Sequence, residues 1–148
     1  MVVPGEVISA FNDKSHRVVF DIGGDDMGAV ALGQYNRYFL QEDYNMYLVI
    51  NNNRPLTETI EACEEYLYSI ERSSRLKVTH LVSNTNLSSE TTTEDVIKGD
   101  SLVSELSHRL RLPHAFTVCT KDQLFELEGR VKGNLFPIDI YMKKPWER

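Results

Sequence analysis

No G-x-x-x-x-G-K-[ST] loop occurs anywhere in these 148 residues. Without that loop the chain has no self-contained cradle for the phosphates of a nucleotide. No stretch of 18 apolar residues is present, which excludes a membrane-spanning helix. The first residues lack the basic and apolar regions of a secretory signal. Cysteine is scarce: Cys63 and Cys119 are far apart and neither has a C-x-x-C companion. They read as buried free thiols of a reducing compartment, so a cytoplasmic location is expected. Positive charge is also short, 16 Lys and Arg against 22 Asp and Glu, for a net charge of −6. The basic residues are scattered, and Lys143-Lys144 is their only local cluster, so no nucleic-acid partner is expected. No serine sits in a G-x-S-x-G elbow, and His16, His80, His108 and His114 lack metal-ligand spacing.

What is present is an alternation of strands and helices. A short helix is predicted near Val3–Phe11, followed by a turn at Asn12–Ser15 and a first strand over 17–22. Apolar spacing from Met27 to Phe39 predicts an amphipathic helix over 27–41. Met46–Ile50 is a near-continuous apolar run, as in a strand buried on both faces. A helix capped by Thr57 carries Ile60, Cys63, Leu67 and Ile70 on one stripe. A strand over 77–82 follows, then a helix from a Thr91-x-x-Glu94 capping box to about 112, with a break at Gly99. A strand at 115–119, a short helix near 121–129 and a last strand near 136–142 complete the chain. Pro137 marks that last strand as late-starting or lying at an edge. The expected fold is one α/β domain over 1–148: a mostly parallel sheet of about five strands with helices on both faces, three-layer and Rossmann-like.

Ligands of such sheets bind at the carboxyl ends of the strands. The segment Arg17-Val18-Val19-Phe20-Asp21-Ile22-Gly23-Gly24-Asp25-Asp26 therefore draws attention first. Asp21 would sit at a strand end, where a carboxylate holds Mg²⁺ beside phosphate. Gly23 and Gly24 would let backbone N–H groups face an anion, or would simply make a tight turn. Asp25 and Asp26 read as caps of the following helix. Asn84, after the third strand, has an amide suited to a nucleobase edge, and equally suited to an Asx-turn. Arg54 offers a planar fork for phosphate, or is a solvated loop residue. Asn51 to Asn53 read as turn formers, and the tyrosines at 35–47 and 66–68 as core and interface.

The pattern D-x-G-G-D-D-x-G-A over Asp21–Ala29 resembles the Walker B and switch II region of MinD/ParA-like P-loop ATPases. The similarity continues through Asn51–Pro55, Leu81–Leu87, Leu112-Pro113 and Pro145-Trp146. It covers the C-terminal part of that fold only. The resemblance implies Asp21 at the Walker B position, Gly24 as a switch glycine and Asn84 as a base contact, with Mg and ATP as the cofactors. It also implies that this chain alone, lacking the phosphate loop with its lysine and Ser/Thr, hydrolyses nothing. In the family the phosphate-loop strand lies between the Walker B strand and the next. A chain without it is expected to pair those two strands directly, or to expose edges through which it forms homo-oligomers. A truncated nucleotide-binding domain and a non-enzymatic interaction module are the two functional expectations. The D-[IL]-G-G of actin-like and sugar kinases is a weaker parallel, because there the motif runs into a strand and here into a helical pattern.

Overall fold

The computed structural model describes residues 5–13 and 15–141. The helix start at Val3 and Pro4, Lys143-Lys144 and Pro145-Trp146 lie outside them. The chain divides into two compact units: Met1–Tyr44 with Tyr68–Lys77, and Asn45–Leu67 with Val78–Arg148.

The second unit holds the sheet. Strands β1 (Tyr47–Ile50), β2 (His80–Ser83), β3 (His114–Thr120) and β4 (Leu135–Ile138) pair in parallel in the order β1-β2-β3-β4. The sheet thus has four strands rather than five. Helix α4 (Ile60–Ser74) links β1 to β2, and α5 (Thr93–Leu110) links β2 to β3. A 3₁₀ turn at Lys121–Gln123 and helix α6 (Leu124–Leu127) lead to β4. Pro137 falls in β4, an edge strand, where its missing N–H costs no ladder bond.

Strand order decides which face is covered. Parallel crossovers are right-handed, so a sheet whose order follows the sequence throws every crossover helix to the same side. The burial agrees. Leu48, Ile50, Leu81, Ser83, Thr117 and Cys119, which alternate onto one face, are all buried. Arg109 of α5 bonds Glu61 and Glu64 of α4, each at 2.8 Å, which ties these helices side by side. Val96, Cys119 and Leu127 close the core under α5 and α6. On the other face Tyr47 (45% exposed), Val49 (55%) and Phe136 (47%) stand open. The expectation of helices on both faces is therefore corrected for this unit, and β1 is not buried on both sides.

Local signals were displaced by small amounts. The capping box is Thr92 with Asp95, one residue beyond the Thr91–Glu94 pair. Thr57 does not cap α4; its hydroxyl donates to the carbonyl of Asn51, while the Thr59 hydroxyl accepts from Ala62 N–H. Helix α5 does not break at Gly99. That glycine is needed for packing, since a Cβ there would lie 1.8 Å from Thr85 Oγ1. Arg111, in the left-handed region at φ 55°, ends the helix two residues before Pro113.

The first unit is built differently. It holds helices α1 (Gly5–Asn12), α2 (Asp26–Gly33) and α3 (Asn36–Phe39), and a ring cluster joins α1 to α3. Phe11 stacks on Phe20 and Tyr38 at 5.2 and 5.3 Å, and meets Phe39 edge-on at 4.8 Å. The predicted helix over 27–41 is split at Gln34-Tyr35. The predicted strand over 17–22 is absent. From Arg17 to Gly24 no backbone group makes a hydrogen bond to any described residue, and Val19 is 86% exposed. A strand exists only by its ladder. This segment, although rich in β-branched residues, has no neighbour to pair with among the described residues and is held through the Phe20 ring.

Candidate functional site

The carboxyl ends of β2, β3 and β4 frame a small cleft. Asn84, Thr85, Asn86, Thr120, Gln123 and Ile138 are among the residues that line it. Its volume is about 20 Å³, room for a water and far less than a nucleobase requires.

Two asparagine loops are stitched together beside it. Asn51 Nδ2 donates to Asn86 O at 2.9 Å, and Asn51 Oδ1 accepts from the N–H groups of Asn53 and Asn86. Thr85 Oγ1 donates to Asn52 Oδ1 at 2.7 Å. Asn51 and Asn52 are thus more than turn formers, because they fix the β1 loop to the β2 loop. Asn84 differs. Its N–H donates to Ile50 O at 2.8 Å, which continues the β1–β2 ladder, and its side-chain amide has no hydrogen-bond partner among the described residues. The Asx-turn reading of Asn84 is therefore not met. Arg54 is exposed and forms no ion pair among the described residues.

Asp21, Gly23 and Gly24 belong to the first unit, and Arg54 and Asn84 to the second. Asp21 lies on the exposed, unpaired segment instead of at a strand end. Gly23 has open space for a Cβ, whose nearest neighbour would be Asp25 Oδ1 at 3.6 Å. Gly28 is the glycine this turn requires, because a Cβ there would lie 2.0 Å from the Gly23 carbonyl oxygen. Asp25 caps α2 as expected, accepting from Gly28 N–H at 2.7 Å. Among the described residues no group of three or more His, Cys, Asp or Glu could hold a metal. Mg²⁺ is usually bound by one or two carboxylates together with substrate phosphates. Asp21 alone therefore does not fit a resident Mg²⁺, and no chemistry is derived through one.

The principal polar centre escaped sequence reasoning. Asp100, 1% exposed, accepts from Thr117 Oγ1 at 2.6 Å and from the N–H groups of Lys132 and Gly133 at 2.8 and 2.9 Å. Beside it His114 Nδ1 meets Ser104 Oγ at 3.0 Å, and Nε2 lies within 3.1 Å of Phe116 O and Thr117 Oγ1. Ser104, His114 and Asp100 are the residue types of a hydrolytic triad, yet Ser104 and Asp100 are buried on the inner face of α5 and His114 Nε2 is 4.0 Å from Asp100 Oδ1. No substrate can reach that serine, so the cluster is a latch holding the 132–133 loop. Burial pushes the His114 pKa down. An acid within a charged helix looks like a solvent-face residue; only its position at i+4 from Val96, on the buried stripe, could have marked it.

Cys63 and Cys119 are free and buried, and burial raises the Cys63 thiol to about 11, so it is inert at neutral pH. No helix among the described residues is long and apolar enough to cross a membrane. Comparison with protein-family models, curated proteins and solved structures finds no match to this chain.

Proposed function

We propose that this chain corresponds to the C-terminal, base-binding part of a MinD/ParA-like P-loop NTPase fold and is catalytically inactive alone. The observation that carries this reading is the unpartnered amide of Asn84 at the carboxyl edge of a parallel sheet, beside the cleft of Thr120 and Gln123. A base edge would exchange a donor and an acceptor with that amide. Triphosphate recognition would come from a polypeptide that carries the phosphate loop, with Arg54 as a further candidate for phosphate. The missing loop strand would also account for the unpaired state of 17–22 and for β1 ending the sheet. The run of Asp21 into helix α2, rather than into another strand, favours this family over actin-like kinases.

Calorimetric titration with Mg-ATP and Mg-GTP tests the reading. Binding near 1 mM or tighter (about −4 kcal/mol), weakened about tenfold in Asn84→Ala, is expected. A protein that binds neither nucleotide at that concentration, or an Asn84→Ala variant that binds as well as the parent, would overturn it. A second reading, a non-enzymatic interaction module, is favoured by a separate observation: the apolar sheet face left open in the second unit.

A further inference from the structure

The open face of the sheet is largely apolar, with Val82 near its middle only 7% exposed. The register places Tyr47 beside His80, Val49 beside Val82, Val82 beside Phe116 and Val118 beside Phe136. Ile138 of β4 continues the same alternation. Tyr47 stacks on His80 at 4.8 Å, and Phe116 meets Phe136 at 5.2 Å, so rings cross all four strands. Parallel sheets are normally covered on both faces. The one-sided crossovers of this order cannot supply the second cover.

Three features suit a second copy of the same chain as the cover. First, no Asp, Glu, Lys or Arg occupies these positions, so stacking the face on itself brings no like charges together, although the chain carries a net −6. Second, the ring row crosses the sheet from β1 to β4, so a twofold axis parallel to the two sheets and midway between them, running along or across the row, would lay row against row at the usual ~10 Å sheet spacing. Third, the area is sufficient for a weak dimer. With ~150–250 Å² for an aromatic side chain, the exposed fractions of Tyr47, Val49, Phe136 and Ile140 and the half-buried Phe116, Val118 and Ile138 sum to roughly 500 Å² per protomer. That matches the ~300–600 Å² of the largest apolar patch on a typical monomer, a patch that is often functional, and two copies together just reach the ~1,000 Å² at which specific interfaces begin.

We infer that this chain forms an isologous homodimer by packing the Tyr47–Phe116–Phe136 faces of two sheets against each other. The contact is face to face, unlike the edge pairing expected from the sequence, and it does not depend on the nucleotide reading. Sedimentation equilibrium from about 5 to 200 μM tests it. A dimer with a dissociation constant of about 1–100 μM, undiminished in 1 M NaCl, is expected. Phe136→Asp places a carboxylate on both sides of the twofold and should weaken association at least tenfold. Val49→Lys, at a side chain already more than half exposed, should do the same without touching the core. Circular dichroism checks that each variant is folded. A chain that stays monomeric at 200 μM, or a dimer that survives both substitutions and so uses β1's edge or another surface, overturns the inference.

Discussion

The two units contain comparable β-forming sequence but treat it in opposite ways. Tyr47–Ile50 and Arg17–Ile22 are both short runs rich in β-branched and aromatic residues. The first is a strand with β2 as its neighbour; the second makes no backbone hydrogen bond to any described residue. Strand propensity is a preference for a half-buried pleated surface more than for a backbone shape. Where no ladder is on offer, the same residues stay extended, and one ring, Phe20, holds the segment to a cluster of aromatics.

Amide hydrogen exchange should show the largest contrast. The Leu81 N–H, bonded to Pro113 O, and its ladder neighbours should exchange at least about 1,000-fold more slowly than amides of Val18–Ile22. Protection at 18–22 would break the comparison, because it would mean that a pairing strand is present in solution.

The next effect concerns the latch of the second unit. Asp100→Ala would take the carboxylate partner from the part-buried N–H groups of Lys132 and Gly133 and from the buried Thr117 hydroxyl, and should cost about 3 kcal/mol in urea unfolding. A loss under 1 kcal/mol would show that the 132–133 loop does not depend on it. In the first unit, Gly28→Ala forces a Cβ against the Gly23 carbonyl and should cost about 1–3 kcal/mol. Gly23→Ala meets open space and should change stability by less than about 0.5 kcal/mol. Equal effects would return Gly23 to the role the motif suggests.

The smallest effect is a pH dependence. Burial lowers the His114 pKa in the folded state below its ordinary value near 6.5. The unfolded chain then binds the extra proton first, so stability is full above about pH 6.5 and falls as the pH drops through that value. Urea midpoints at pH 8 and pH 5.5 should differ in that direction, and His114→Gln should shrink the difference. An unchanged midpoint in the parent protein would show that the histidine is not protected in the folded state.

Much of the fold was readable in the order of residues. The helices at α4 and α5 and the strands at β1, β2 and β3 were read from apolar patterning and capping residues, α1 and β4 were read with the help of Pro4 and Pro137, and Cys63, Leu67 and Ile70 are buried as their spacing requires. Caps were less legible: Thr91 and Thr92 are adjacent hydroxyls with acids three residues on, and only backbone geometry chooses Thr92. The candidate site was legible in part. Asn84 does lie at the carboxyl edge, with its amide unpartnered among the described residues, whereas Asp21 does not stand at a strand end, because strand formation depends on a neighbour that local sequence cannot display.

Local chemistry is what the sequence determined by itself: which segments turn, which stripes are apolar, that β-strands alternate with crossover helices, and that no phosphate loop is present. Those properties act over a few residues, through side-chain periodicity and backbone preference. Tertiary structure decided the rest. It set the β1-β2-β3-β4 order, left one sheet face open, denied Arg17–Ile22 a ladder among the described residues, and buried Asp100 of α5 against the loop after α6. These outcomes depend on which backbone groups find partners far along the chain, and a hydrogen bond or a covered face belongs to the pair of elements that makes it.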